Sequence, residues 1–360
     1  MRLGVAAALV DGRVVDGDVE VSLDDGTVVA TGLPALDGAG LAVPGLVDLQ
    51  INGFAGVDLR RADAQGYATV ARALARRGVT AFQPTFHSQS LEDYERSLGV
   101  LPEVLADPPE GARVLPAHLE GPFLSHRWNG AHDVSHLVAP DPGRCERLLA
   151  AGPVGFVTLA PELPGALDAI ARFVADDVVV SIGHSDATSA RVHEAVAAGA
   201  THLTHCWNAH RRMSARDPGP AGVALSSDRL SIGLIVDLVH VAPEVVTATW
   251  RAAAGRIAVT TDAVTAAGSR TASAGDVARR DDGTIAGGLA GPDDCLRNLV
   301  SLGVGVSDAV DACGGVQRRL LGLPAVRLRP GDPADVVVLD DALAVRRTYV
   351  AGRPVLSKGA

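Results

Sequence analysis

Aromatic residues are scarce in this chain. Phe, Trp and Tyr make up 3% of 360 residues, although 47% of the chain is hydrophobic. The core must therefore be built from Ala, Val, Leu and Ile, which suit the layered interior of a parallel αβ barrel. Cysteine is also sparse. Cys145, Cys206, Cys295 and Cys313 form no C-x-x-C pair and no close spacing, which reads as a reduced, cytosolic chain. Cys206 lies beside His205, but a free cysteine is more often a small buried hydrophobe than a ligand or nucleophile. No apolar stretch approaches the length of a membrane-spanning helix. The first apolar run, Leu3 to Val10, ends at Asp11 and continues as turn and strand, not as a cleavage site. A soluble, unexported protein is expected. Basic excess is missing as well: the formal charge of −10 argues against a broad nucleic-acid surface. It leaves room for a small anionic substrate, which one or two arginines can hold. There is no P-loop and no strand-linked G-x-G-x-x-G, and Gly287-Gly288 is too weak a signal for a nucleotide.

What is present is β/α alternation. Eight Val/Ile/Leu-rich runs recur at roughly 30-residue spacing: Leu46–Leu49, Val79–Gln83, Val114–Leu119, Phe156–Ala160, Val178–Ile182, Ala200–Leu203, Ser231–Val236 and Ile257–Thr261. Helical patterns fill several gaps, at Ala64–Arg77, Leu91–Ala106, Ala166–Ala175, Thr188–Ala198 and Pro243–Ala254. Pro243 fits a first helical position, and Gly78 and Gly199 fit helix stops. The two ends read differently. Asp11-Gly12, Asp16-Gly17 and Asp25-Gly26 break short β-like runs, and Asp-Gly between apolar runs signals a hairpin. Residues 334–355 repeat the style. The expected architecture is a (β/α)8 TIM-like barrel over residues 45–330. Residues 1–44 and 331–360 would form a small β-sandwich built from both termini.

Chemistry-bearing residues cluster at the ends of the strand-like runs. Glu120 ends one run, His184 follows another, and His205 lies just past a third. One carboxylate and two imidazoles plus a water is the open arrangement of a catalytic zinc-like site. Each residue alone is more simply a polar strand end; three at C-terminal strand ends, with an acid at a fourth, are not. That acid, Asp262, can take a proton from water and pass it to a leaving nitrogen, although Asp is also favoured as a helix N-cap. His202, inside its strand, reads as a supporting or packing residue. His132 and His240 are substrate-side candidates. His87, His126, His136 and His210 read as ordinary loop histidines. Asn208 to Gly219 carries Arg211, Arg212 and Arg216, suited to phosphate or carboxylate or simply a solvated basic loop.

At these positions the chain resembles the N-acetylglucosamine-6-phosphate deacetylases of the metal-dependent amidohydrolase superfamily. The resemblance runs over essentially the whole length. It rests on Pro44–Gly53, His118-Leu119-Glu120-Gly121-Pro122-Phe123, Gly183-His184-Ser185, Thr204–Ala209, Asp237–Val241, Thr261-Asp262-Ala263 and Leu289-Ala290-Gly291. His-Leu-Glu-Gly-Pro together with Gln-x-Asn-Gly is specific to this branch. The resemblance implies that Glu120, His184 and His205 hold one divalent metal. Zinc comes first, and iron, manganese and cobalt are also accepted by such a set. Asp262 would be the base and then the acid. His132 would help polarise the acetamide carbonyl, and His240 would contact the sugar. Asn208, with the backbone around it and Ala209, and Arg216 would hold the 6-phosphate. Leu289 and Gly291 would lie at the substrate. Arg216 can be contributed across a dimer interface in enzymes of this type, so a homodimer is implied.

Three departures stand out. Gln50-Ile51-Asn52 replaces the His-x-His of many amidohydrolases, and neutral amides are poor ligands for zinc-like ions, so one metal site is expected. His210 stands where a methionine often follows Asn-Ala, and Pro292 where a serine is usual. The expected reaction is hydrolysis of N-acetylglucosamine 6-phosphate to glucosamine 6-phosphate and acetate. The alternatives are deacetylation of another N-acyl amino sugar, such as the galactosamine epimer or an unphosphorylated sugar, and, more remotely, a catalytically silent scaffold.

Overall fold

The computed structural model describes residues 1–35, 38–268 and 276–355. Residues 356–360, at the end of the expected terminal β unit, lie outside the described residues. So do 36–37 and 269–275, which fall within the two expected units.

Eight parallel strands form the central barrel: β1 Leu46–Ile51, β2 Val79–His87, β3 Ala117–Glu120, β4 Val154–Leu159, β5 Val179–Ile182, β6 His202–Leu203, β7 Ser231–Ile235 and β8 Ile257–Thr260. Each pairs in parallel with the next from β1 to β8. All eight expected strands are present. β2 is longer than expected, because it runs through Pro84 to His87 and every residue before His87 is buried. The seam between β8 and β1 is closed mainly by side chains. Asp48 Oδ1 accepts from Thr260 Oγ1 at 2.9 Å, and Asp48 Oδ2 from Thr261 Oγ1 at 2.7 Å. Above them the Asn52 amide donates to Ala263 O at 2.8 Å. On the β8 side, Gln317 Nε2 donates to Val259 O at 2.8 Å.

The outer helices follow the patterns closely. The helix over Ala166–Ala175 has the expected bounds, and those at Ala64–Ala75, Ser189–Ala198 and Pro243–Ala253 fall short of theirs by one or two residues. Gly199, at φ 118°, ends the third of these in the left-handed region that glycine tolerates. The expected helix over Leu91–Ala106 is two helices, Leu91–Gly99 and Leu101–Ala106. Pro102 has no N–H to continue the ladder and opens the second.

Both chain ends enter one six-stranded sheet, ordered 13–16, 7–10, 41–44, 336–339, 345–350, 353–354. A two-stranded sheet, Asp18–Val21 with Val28–Leu33, packs against it. Val5, Val19, Val21, Val28, Val336, Val338 and Tyr349 fill the space between, and Val326 and Leu328 join that core. Asp11-Gly12 is a true hairpin turn, with φ of 49° and 76°, and Asp25-Gly26 also lies between paired strands. Asp16-Gly17 differs from the hairpin expectation: it passes the chain from the six-stranded sheet into the two-stranded one. Gly17 is required there, since φ is 109° and a Cβ would sit 2.5 Å from Leu33 O. The fully buried Asp335 joins this unit to the barrel. It pairs with Arg318 at 2.9 Å and with Arg113.

Candidate metal centre and active site

The C-terminal strand ends meet at one mouth, where β5, β6 and β8 are followed by sharp backbone reversals. His184, His205 and Asp262 have φ of 48°, 25° and 49°, a left-handed conformation that non-glycine residues adopt at some cost. The reversals aim three side chains from different strands at Glu120, which ends β3.

Glu120 Oε1 lies 3.2 Å from His184 Nε2 and 2.9 Å from His205 Nε2. It also accepts from Gln50 Nε2 at 2.8 Å. Among the described residues, Glu120, His184 and His205 are the one His/Cys/Asp/Glu group whose ligand atoms could share a metal ion, all within 4.8 Å of one another. Burial pushes the Glu120 carboxyl up, but His132, His184 and His205 outweigh it and hold it well below the usual carboxylate range. His184 Nδ1 lies 2.8 Å from Trp128 O. A carbonyl can only accept, so Nδ1 donates to it and turns Nε2 toward Glu120, the orientation metal-binding imidazoles are given by their outer partners.

His132 has the opposite tautomer. The Ser88 amide donates to its Nδ1 at 3.2 Å, which leaves Nε2 as the donor, 3.6 Å from Glu120 Oε2. Asp262 Oδ1 accepts from Asn52 Nδ2 at 2.7 Å. Burial, reinforced by the Glu120 charge, pushes the Asp262 carboxyl up to about 7. His240 is held through Nδ1, 2.6 Å from Asp237 Oδ2. Asp237 Oδ1 accepts in turn from the amides of Val239 and His240 at 2.9 Å. A cavity of about 510 Å³ opens above, lined by Glu120, His184, His205, His132, Asp262, Asn52 and His240, and also by Trp128, Asn208, Ala209 and Ile285–Gly287. That volume suits a small molecule.

Eight of the eleven candidate site residues line the cavity: Glu120, His132, His184, His205, Asn208, Ala209, His240 and Asp262. Arg216 does not: it is exposed on its loop. Leu289 and Gly291 also stand outside the lining. Gly291 starts the helix Pro292–Ser301, its amide donating to Asp294 Oδ2 at 2.8 Å. His202 bonds Ser231 Oγ at 2.8 Å inside the barrel. His210 is buried, with Nε2 2.8 Å from Thr204 O. Cys206 is buried, and burial pushes its thiol up to about 12, which makes it a packing residue.

Sequence reasoning missed three residues. Gln50 and Asn52 read from the sequence only as poor metal ligands, yet their amide donors orient Glu120 and Asp262. Their Gln-x-Asn alternation at a strand end was the available signal. His87 reads from the sequence as a loop histidine, but it ends β2 and lines the cavity. Burial, then Arg60, brings its imidazole down to about 4.

No family model matches the chain. The N-acetylglucosamine-6-phosphate deacetylase of Bos taurus is 38% identical over 345 residues, covering 88% of this chain and 84% of that protein. The chain belongs to the N-acetylglucosamine-6-phosphate deacetylase family. A crystal structure of the N-acetyl-D-glucosamine-6-phosphate deacetylase from Mycobacterium smegmatis superposes with a TM-score of 0.89 at 35% identity, over 99% of this chain and all of that one. The N-acetylgalactosamine-6-phosphate deacetylase of Escherichia coli O157:H7 is 33% identical over 330 residues, 88% of either chain. The family likeness thus extends over barrel and terminal sheet together.

Proposed function

We propose that this chain hydrolyses the acetamide of N-acetyl-D-glucosamine 6-phosphate, giving D-glucosamine 6-phosphate and acetate. The observation that carries the reading is the convergence of Glu120, His184 and His205 beside Asp262 and His132 in one cavity, in a chain of this family. Glu120, His184 and His205 would hold one divalent cation. Their donor set fits it: an ionised carboxylate and an imidazole whose Nε2 is turned inward by Trp128. Zinc is the first candidate, with iron, manganese and cobalt also suited to the set. When bound, the cation supplies Lewis acidity toward the amide carbonyl and toward water.

The remaining work falls to side chains. His132 Nε2–H donates to the carbonyl oxygen as negative charge develops there. Asp262 accepts the proton of the attacking water, then delivers it to the amine nitrogen as the C–N bond breaks. Asn52 keeps that carboxylate oriented, and Gln50 does the same for Glu120. His240, fixed by Asp237, contacts the sugar. Asn208 and the backbone at Ala209 hold the 6-phosphate, completed by Arg216 from a second copy of the chain. The exposed position of Arg216 outside its own cavity supports a homodimer that shares it. Leu289 and Gly291 act through the cavity segment Ile285–Gly287 that precedes them. The four buried free cysteines support a reducing cytosolic compartment. Among the described residues no helix is long and apolar enough to cross a membrane.

The relative that acts on N-acetylgalactosamine 6-phosphate makes that epimer the second reading. Acetate release from both epimers, by protein stripped with chelator and resupplied with one metal at a time, decides between them. Metal-dependent release from the glucosamine derivative is expected. Silence on both epimers, from folded and metal-loaded protein, would remove the proposal. In Asp262→Asn, kcat should fall by about 10²–10⁴ with metal content unchanged; full activity would clear Asp262 of the base role.

A further inference from the structure

We propose that Asp186 is a positioning residue of the metal centre: by anchoring the Trp128 indole it fixes the backbone carbonyl that orients His184. The inference rests on the reading of Glu120, His184 and His205 as metal ligands. His184 and Asp186 stand two residues apart on the turn after β5. His184 Nδ1 donates to Trp128 O at 2.8 Å, and Trp128 Nε1 donates to Asp186 Oδ1 at 2.8 Å. The two bonds close a circuit, since one turn supplies both the ligand and the anchor of the group that orients it. The anchor is itself held. The Asp186 amide donates to Glu162 Oε1 at 2.5 Å, and the Ser185 hydroxyl donates to Glu162 Oε2 at 2.7 Å.

The segment from Ser125 to His132 lies across His184. The Ser125 amide donates to His184 O at 2.9 Å. A Cβ on Gly130 would sit 3.1 Å from His184 Cε1, and Gly130 has φ 57°. The His132 and His184 ring centroids are 4.5 Å apart. Within this segment Trp128 ends the short helical turn His126–Trp128. A backbone carbonyl points where the surrounding chain holds it, and here the indole supplies the hold. Trp128 is half-buried, and its N–H is spent on a carboxylate, a stronger bond than one to a neutral acceptor. Arg127 Nη1 also reaches Asp186, at Oδ2 and 3.0 Å. The Arg127 side chain is 71% exposed, and ion pairs of that kind contribute little. Trp128 therefore carries the latch. Outer partners of a metal-binding imidazole are worth about 10- to 100-fold in metal affinity. Asp186 acts one bond further out, which places its effect at the lower end.

The test compares the full-length wild type with three variants. Trp128→Phe keeps a ring and removes the N–H, Asp186→Ala removes the acceptor, and Asp186→Asn keeps an oxygen that can accept from the indole. Zinc affinity is read by competition with a chromogenic chelator, beside the Tm of each metal-free protein and acetate release from N-acetylglucosamine 6-phosphate. Zinc should bind about tenfold more weakly to Trp128→Phe and Asp186→Ala, and Asp186→Asn should recover most of the wild-type affinity. Combining Trp128→Phe with Asp186→Ala should weaken zinc no further, because both changes remove the same bond; losses that add would overturn the latch. Zinc affinity unchanged from the wild type in Trp128→Phe, whatever its Tm, would also overturn it. If Asp186→Ala does not fold, Trp128→Phe against Asp186→Asn decides alone. Weakened zinc binding in the variants, with no acetate release by the wild type, would leave the latch standing and remove the deacetylase reading. A wild type that binds no zinc would overturn the latch outright.

Discussion

In the proposed reaction Asp262 would have to be unprotonated at the start and protonated at the end, so its proton affinity would be the residue-scale control on rate. The side chains around it place that carboxyl at about 7, chiefly through burial, and a cation at Glu120 would draw it lower. Activity therefore falls as pH drops through the Asp262 pKa. The Asn52 amide stabilises the carboxylate, so Asn52→Leu should move the acid limb of kcat/KM to higher pH, by about half to one unit. A limb that stays in place would free Asn52 of this role. His210 offers a stability counterpart. Burial, first of all, brings its imidazole down to about 3, so below pH 6.5 the unfolded chain takes up a proton that the folded one refuses, and stability is lost as pH falls. His210→Met should lose less on acidification from pH 7 to 5, by on the order of 2 kcal/mol, read from urea midpoints at each pH. The residue level was also where the sequence was least legible. His87 was hidden because Pro84 reads as a strand end, whereas β2 carries the proline inside it. Gln50 and Asn52 were hidden because they act by donating hydrogen bonds to carboxylates, a role no ligand rule detects. Glu120, His184, His205 and Asp262 were legible because each follows an apolar run, and strand ends are where a barrel places its chemistry.

At the scale of elements, the eight strands were readable from branched aliphatic runs, and the helices from periodicity and caps. Pattern failed where Gly and Pro dominate. The helix Gly219–Ser226 begins Gly-Pro-Ala-Gly and carries no helical signature, yet packing against its neighbours forms it. The seam between β8 and β1 was equally unreadable, because side chains close it. Asp48 is buried and spans that seam, with burial raising its carboxyl and the Thr261, Gln50 and Thr260 bonds opposing. Asp48→Ala would strand Thr260 and Thr261 hydroxyls and leave a void. We expect a loss of about 3 kcal/mol or more by denaturant unfolding, with Asp48→Asn intermediate. A neutral result would mean that Gln317 and the Ile51–Ala263 bridge close the barrel unaided.

For the molecule as a whole, the candidate ligands come from β3 and from the turns after β5 and β6, so a bound cation cross-links a third of the barrel's rim. A ligand that binds only the folded state stabilises by about 4 kcal/mol at a thousand times its Kd. Chelation should therefore lower Tm by several degrees and zinc should restore it. The same titration on Glu120→Gln should show little shift. The terminal sheet has a consequence for synthesis. The strand at 41–44 lies between 7–10 and 336–339, so one of its edges waits while nearly three hundred residues are made. Until the ribosome has released the chain's final strands, the nascent protein carries an open β edge beside an otherwise completed barrel. A transcript truncated shortly before codon 336 would leave that edge open for good, and its product should be recovered in aggregates or bound to chaperones rather than as a smaller working enzyme.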